Sequence, residues 1–209
     1  IRQRYVAGEG ETTVSLARDA AIRAMEAAGV GPDDIDMVVL GTTTPNLIFP
    51  SSACLLQAEL GIDNGCPAFD VNAACSGFIY AMSVADKFIR AGEVKTVLVA
   101  GSETLTRMVD WSDRSTCVLF GDGAGAAVLK ADAETGILST HLHADGSKKE
   151  LLWHPAGVST GLDKPGKLTM KGNDVFKYAV KALDSVVDET LQANGLDKHD
   201  LDWLIPHQA

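Results

Sequence analysis

The stretch Ala68-Phe69-Asp70-Val71-Asn72-Ala73-Ala74-Cys75-Ser76-Gly77-Phe78 constrains the chain more than any other. Its first four residues read as the end of a strand, and the residues after Val71 are small enough for a tight turn. A helix follows over residues 76–91 that is apolar nearly all round, with Phe78, Ile79, Ala81, Met82, Val84, Ala85, Phe88 and Ile89. A helix with no wide polar face is a buried one. Cys75 then stands at the N-terminus of a buried helix, where free N–H groups and the positive dipole end favour a thiolate. Ala73, Ala74, Ser76 and Gly77 leave room for a bulky group to approach the sulfur. A free cysteine is more often an inert buried hydrophobe. Helix position, small neighbours and a later histidine favour a nucleophile.

On either side of this stretch, helices and buried strands alternate. Thr12 and Thr13 can cap a helix to about residue 28, with Leu16, Ala17, Ala20, Ala21, Ala24 and Met25 inward and Gly29 as its stop. Residues 37–41 read as a buried strand of the parallel kind. Pro50 suits a helix start, which gives a helix over 51–60 ending at Gly61. Further strands are expected at 68–71, 96–101, 117–120 and 126–130, the last two around the glycine turn 121–125. This order is α/β with a mostly parallel sheet. From Gly136 the pattern changes to a strand over 136–143 and a Gly/Lys/Pro-rich stretch through Lys167. A long helix over 173–193, stopped by Gly195, and a strand over 203–205 follow.

Residues 27–39 (AAGVGPDDIDMVV) and 193–205 (ANGLDKHDLDWLI) repeat one another at an offset of 195 − 29 = 166. Each copy is helix end, glycine stop, acidic loop and apolar strand, which points to a duplicated unit. The first copy runs on from Val39 to about Leu129, whereas the second stops soon after its strand. The sequence therefore reads as a piece lacking its C-terminal portion and some N-terminal sequence. The expected halves are 1–130, with the nucleophile, and 131–209, the start of the second half.

A formal charge of −10 disfavours a nucleic-acid partner, which would need a basic stripe. No apolar run is long enough to span a bilayer and no leader is evident, so a cytoplasmic location with free thiols is expected. The four cysteines, Cys54, Cys66, Cys75 and Cys117, show no C-x-x-C pairing, which argues against zinc. His141 and His143, two apart on a strand, share a face, but no further ligands accompany them, and a hydrogen-bonded strand flank is the simpler reading. His154 and His199 read as surface residues. Gly121-x-Gly-x-Gly lacks the following helix that a dinucleotide loop needs, and a closely packed glycine turn accounts for it better. His207 follows Pro206 at a strand end, where ligands gather in such sheets; a lone histidine is otherwise often structural.

Six stretches then carry a resemblance: Phe49-Pro50-Ser51-Ser52-Ala53-Cys54, Cys66-Pro67-Ala68-Phe69-Asp70-Val71, Ala74-Cys75-Ser76-Gly77-Phe78, Phe120-Gly121-Asp122-Gly123-Ala124-Gly125-Ala126-Ala127, His141-Leu142-His143-Ala144-Asp145-Gly146-Ser147 and Pro206-His207-Gln208-Ala209. Together they resemble the β-ketoacyl-acyl-carrier-protein synthase III family of condensing enzymes. The resemblance implies a thiolase-like fold, two similar α/β halves with mixed five-stranded sheets, the second incomplete here. It implies an acyltransferase that initiates fatty-acid synthesis, with acyl-CoA (acetyl-CoA) and malonyl-acyl-carrier protein as substrates, no cofactor or metal, and a homodimer.

The resemblance makes Cys75 the nucleophile that carries the acyl group, its N–H being half of an oxyanion hole, and His207 one of two residues that promote decarboxylation. Arg114 would lie near the CoA adenine. Phe120, Met170, Gly172, Phe176 and Ala179 would line the pantetheine tunnel, and Phe49 would shape a partner's acyl pocket. Lys177 would hold the acidic carrier protein, and Lys181, one turn on, could assist. The family's catalytic Asn and second oxyanion loop would lie beyond Ala209, and its CoA-gripping Trp and Arg before Ile1. The 209 residues are therefore expected to be inactive in condensation on their own. Related quinolone- or polyketide-forming synthases and a non-catalytic scaffold are the alternatives; a dinucleotide-dependent oxidoreductase is disfavoured.

Overall fold

A computed structural model describes residues 1–134, 136–161 and 166–207. Part of the Gly/Lys/Pro-rich stretch, and Gln208 and Ala209 of the last motif, lie outside the described residues. The chain forms two compact units: residues 3–106 with 121–136, and residues 1–2 with 107–120 and 137–209.

The first unit is a four-stranded sheet between helices. Its order is β2-β1-β3-β4, with β1 Met37–Gly41, β2 Ala68–Val71, β3 Thr96–Thr104 and β4 Asp122–Lys130. β1 runs parallel to β2 and β3, and β4 runs antiparallel to β3. Alternation along the strands sorts the core into two layers. Val38, Leu40, Leu98 and Ala100 pack with Val14, Ala17, Ala21 and Met25 of α1 (Thr13–Ala28) and with Ala53 and Leu56 of α2 (Ser52–Glu59). Met37, Val39, Val97 and Val99 pack on the other side against Ala81 and Ala85 of α3 (Gly77–Arg90).

The helix ends follow from their capping residues. The Thr12 hydroxyl accepts from Ser15 N–H at 3.1 Å, and Gly29 closes α1 in the left-handed region at φ 64°. Ser51, not Pro50, starts α2: its hydroxyl accepts from Cys54 N–H at 3.2 Å. Asp70 adds its carboxylate to the same helix end, accepting from Ser52 and Ala53 N–H at 2.8 and 2.7 Å.

Two glycines set the height of α3 above the sheet. A Cβ on Gly41 would lie 2.5 Å from the carbonyl carbon of Gly77, so backbone meets backbone there. Gly101, beside Gly41 in the sheet, leaves the Phe78 ring its seat: a Cβ there would lie 3.3 Å from Phe78 Cβ.

Several expectations change. β3 continues three residues past Gly101, because it pairs with β4 as far as Thr104↔Asp122. β4 runs through the glycine-rich stretch, so residues 121–125 are not a turn between strands. Residues 117–120 form turns held by bonds such as Cys117 N–H to Asp113 C=O, 3.0 Å. Among the described residues the sheet accordingly has four strands rather than five. Close packing applies only at Gly121, where a Cβ would meet Arg4 and the Tyr5 carbonyl at 3.2 Å; Gly123 and Gly125 face open space. α3 is not buried all round: one side lies on the sheet, while Ile79 and Phe88 are 45% and 39% exposed.

In the second unit β5 (Leu152–Trp153) pairs antiparallel with β6 (Thr169–Met170), which leads into α4 (Gly172–Asn194). Of the described α4 residues only Leu191 is buried, since this unit's short hairpin and turns cover little of the helix. Residues 136–143 and 203–205 form no strand, as no neighbouring strand pairs with either.

The repeat holds at the level of backbone geometry. Gly29 and Gly195 close their helices at φ/ψ of 64/36° and 63/32°. Gly31 N–H donates to Asp34 and Asp197 N–H to Asp200, both at 2.8 Å, over matching one-turn 3-10 helices.

Replacing Gly41 by Ala is expected to destabilise the first unit by about 2 kcal/mol or more, through overpacking that backbone cannot relieve. Gly101→Ala, opposed by a side chain that can shift, costs less. Urea unfolding of both variants checks the order.

Candidate functional site

The site grows from the carboxyl ends of β1, β2 and β3, where an open α/β sheet collects ligands. The chain leaves β2 at Val71, turns through a 3-10 turn at Ala74–Ser76, and enters α3. Ala74 takes φ 46°, the left-handed region, without being glycine; such a residue costs about 1 kcal/mol and must be held by its surroundings. The turn is held by Ser76 N–H donating to Ala73 C=O at 3.0 Å and by the close seat of Gly77 on Gly41.

Cys75 is solvent-accessible, which removes the reading of a buried structural cysteine. Its sulfur lies in the 3-10 turn, one residue before the Ser76 cap of α3. The protein around the sulfur pushes its pKa up, the Glu103 carboxylate adds to that, and a hydrogen bond from the backbone opposes them. Burial and the Glu103 charge thus both favour the neutral thiol, opposite in direction to the expected helix-end effect.

Glu103 was missed because β3 seemed to end at Gly101. The period-two run Val97, Val99, Gly101, Glu103 held the signal. These residues share the α3 face of the sheet, and Glu103 is its polar end. Opposite it on β4 is Gly123, a would-be Cβ of which meets nothing within 4 Å. Glu103 accepts from Thr43 N–H at 2.8 Å, Thr43 hydroxyl at 3.2 Å and Thr44 hydroxyl at 2.6 Å. Burial still lifts its carboxyl above the usual range against these bonds. Asp122 of the glycine stretch is a clamp: it takes Thr106 N–H and hydroxyl and Ala7 N–H at 2.6–2.9 Å.

Phe49 is 83% exposed on the loop between β1 and α2 of the first unit. Met170, Gly172, Phe176 and Ala179 follow one another from β6 into α4, and a Cβ on Gly172 would lie 3.5 Å from Met170 Cε. Phe176 is 69% exposed, and Lys177 and Lys181 are exposed on the same helix. Phe120 and Arg114 belong to the turn-rich segment 107–120, where Asp113 accepts from Ser115 and Thr116. His207 is exposed and not in a strand. His141 and His143 both bond to Glu189, at 2.8 and 2.7 Å, and their contacts hold that carboxyl below its usual range. Among the described residues no cluster of three or more His, Cys, Asp or Glu is placed to hold a metal, and no helix is long and apolar enough to cross a membrane.

A mixed sheet between helix layers, with a cysteine in the turn from a parallel strand to the covering helix, defines a thiolase-like α/β protein. The comparisons narrow the class. Residues 69–146 match the family 3-oxoacyl-[acyl-carrier-protein (ACP)] synthase III. A relative from Xanthomonas campestris pv. campestris (strain 8004), named beta-ketoacyl-[acyl-carrier-protein] synthase III, is 73% identical over 213 residues, covering 100% of this chain and 65% of the relative. The structure of 3-oxoacyl-(acyl carrier protein) synthase III from Pseudomonas aeruginosa PAO1 matches with TM-score 0.91 and 38% identity, over 100% of this chain and 64% of that one. The priming beta-ketosynthase from the R1128 polyketide biosynthetic pathway matches with TM-score 0.90 and 36% identity, over 96% and 61%. The chain is thus similar to the β-ketoacyl-acyl-carrier-protein synthase III family and spans 65% of the length of that Xanthomonas relative.

Iodoacetamide alkylation of Cys75, followed by peptide mass mapping, is expected to be slow at neutral pH. Its rate should still be climbing with pH where the same cysteine in urea-unfolded chain has levelled off, because burial and Glu103 both favour the neutral thiol.

Proposed function

We propose that the protein is an acyltransferase that primes fatty-acid synthesis by decarboxylative condensation, with Cys75 as the acyl carrier. The thiol attacks an acyl-CoA, acetyl-CoA by preference; the Cys75–acyl bond forms, the acyl–CoA thioester breaks, and the thiol proton leaves with CoA. Malonyl-acyl-carrier protein then loses CO2, its carbanion takes the acyl group, and the Cys75 sulfur departs. One hard step becomes two easier ones, and N–H donors at the enolate or tetrahedral oxygen, Cys75 N–H among them, supply the electrostatic part. CoA is here a substrate, and no resident cofactor or metal takes part.

The observation that carries this reading is an accessible sulfur on a constrained turn at the carboxyl edge of parallel strands. The 73% identity to a named synthase III supports the same reading. The remaining roles rest on the matching motifs. In them His207 promotes decarboxylation, Arg114 meets the adenine, and Phe120, Met170, Gly172, Phe176 and Ala179 line the pantetheine path. Phe49 reaches a second copy in a homodimer, Lys177 and Lys181 meet the acidic carrier protein, and the work is done in the cytoplasm. A polyketide-type condensation is the second reading, because the R1128 priming enzyme matches over nearly the whole chain; its lower identity ranks it below the first.

Incubating the chain with acetyl-CoA and measuring its intact mass should reveal one acetyl group, absent in Cys75→Ala. An unmodified wild-type chain, or an adduct that survives Cys75→Ala, overturns the assignment of the sulfur. Primer competition between acetyl-CoA and longer acyl-CoAs separates the two condensing readings.

A further inference from the structure

The loop from β1 to α2, residues 42–51, is bonded at its root and exposed at its tip. Glu103, from the neighbouring strand β3, binds two successive residues of that root. It accepts from Thr43 N–H at 2.8 Å, Thr43 hydroxyl at 3.2 Å and Thr44 hydroxyl at 2.6 Å. Thr44 hydroxyl in turn accepts from Thr104 N–H at 2.9 Å, and Thr44 C=O accepts from the Thr13 hydroxyl at 2.6 Å. Two residues on, the Asn46 side chain accepts from Val14 N–H at 3.1 Å, and Asn46 N–H donates to the Ser52 hydroxyl at 3.2 Å. Asp70 of β2 fixes Ser52 and Ala53 from the other side. Entry and exit are therefore pinned to β3, α1 and β2, and the Asn46–Ser52 bond closes the loop on itself. Between those two residues stand Leu47, Ile48 and Phe49, all exposed. Exposed side chains have little packing to hold them, so where the Phe49 ring stands is decided at the root.

We propose that Glu103 is a positioning residue for acyl-chain selection: through Thr43 and Thr44 it holds the Phe49 loop at one depth, and that depth limits the length of acyl chain accepted. This rests on the proposed role of Phe49 in shaping a second copy's acyl pocket, and adds to it what fixes the ring. A pocket wall on a loose loop yields to a longer chain, whereas a wall on a bonded root is already in place and does not. One methylene in an apolar pocket is worth about tenfold or more in discrimination, so a small displacement of the ring changes which chain fits. What the brace requires at position 103 is hydrogen bonding rather than charge. A glutamine there keeps an oxygen for Thr43 N–H and offers its amide N–H to the Thr44 hydroxyl. The Thr44 hydrogen can then turn to the Thr13 hydroxyl, 3.2 Å away. An alanine keeps none of these bonds.

The test is competition between acetyl-CoA and hexanoyl-CoA for Cys75, read by intact mass as the ratio of the two adducts. The wild-type chain is compared with Glu103→Ala, Glu103→Gln and Phe49→Ala, and amide hydrogen exchange over residues 43–50 is followed alongside. In Glu103→Ala, exchange should quicken and the hexanoyl-to-acetyl ratio should rise several-fold, toward that of Phe49→Ala. Glu103→Gln should keep both near their wild-type values. A merely structural Glu103 would lower the unfolding temperature of Glu103→Ala and slow both adducts alike, leaving their ratio in place. That result, beside a ratio that does move in Phe49→Ala, overturns the proposal and leaves the reading of Phe49 standing. A ratio that moves in neither variant rejects the reading of Phe49, and the proposal falls with it. A wild-type chain that takes up neither acyl group rejects Cys75 as the acyl carrier, again taking the proposal with it. Should Glu103→Ala not fold, Thr44→Val decides: it keeps the side chain's shape, removes the hydroxyl shared by Glu103 and Thr104, and should raise the ratio in the same direction. An unchanged ratio there, with Phe49→Ala shifted, overturns the proposal.

Discussion

The contact of Gly41 with Gly77 is the constraint on which the rest of the first unit depends. With a Cβ on Gly41 at 2.5 Å from the Gly77 carbonyl carbon, no side chain can separate β1 from α3. That closeness brings Ala81 and Ala85 onto Met37, Val39, Val97 and Val99, so the helix packs with small residues along its inner side. It also fixes where the preceding turn must lie. The chain has only Asn72 to Ser76 in which to pass from the end of β2 to the start of a helix already seated on β1. A left-handed Ala74 is the consequence, and the sulfur of Cys75 is carried to the strand ends as a result.

Electrostatics at that position runs against the simplest reading of a cysteine before a helix. A helix N-terminus contributes about 0.3–1 kcal/mol to a nearby anion at an exposed site, less than one pKa unit. Desolvation and a like charge shift groups by up to several units. Here burial, and after it the Glu103 carboxylate, favour the thiol against a backbone hydrogen bond. In the proposed reaction the sulfur is thus positioned first and activated second. A constrained backbone supplies the geometry, and the ionisation has to be supplied during the reaction.

What the sequence disclosed follows the range of the forces involved. α1, β1, α2 and β2 were legible because caps, breakers and apolar runs are local signals: Thr12 and Gly29 stand where the structure uses them, and α2 starts one residue from where Pro50 sets it. The place of Cys75 was legible for the same reason, as a cysteine among small residues between strand and helix. Glu103 was hidden because Gly101 looks like a strand end. Only pairing with β4, on to Thr104↔Asp122, carries the strand past it. The glycine-rich β4 reads as a turn by composition, yet Gly123 and Gly125 are strand residues held by the ladder to β3 rather than by their own preference. α3 was legible as a helix but not as a half-covered one. Composition records that a face is apolar, and contacts alone decide whether anything lies on it.

The duplicated segments separate local from tertiary coding within one chain. Gly29 and Gly195, and the one-turn helices Pro32–Asp34 and Lys198–Asp200, reproduce each other in dihedral angle and hydrogen bond. Even the exits agree, with Ile35 at −86/117° and Leu201 at −88/118°. Beyond that point the two diverge. Met37, Val38 and Val39 are fully buried between β2 and β3, whereas Trp203, Leu204 and Ile205 are 83%, 62% and 88% exposed with no strand on either side. The cap, the acidic turn and the exit angle are thus written in some ten residues and form wherever those residues occur. A strand is written only as an offer of alternating donors and acceptors, and it becomes one when neighbouring strands take up both edges. The first copy meets that condition because β2 and β3 flank it, and this flanking places Gly41, and with it Cys75, at the edge where the chemistry is proposed to occur.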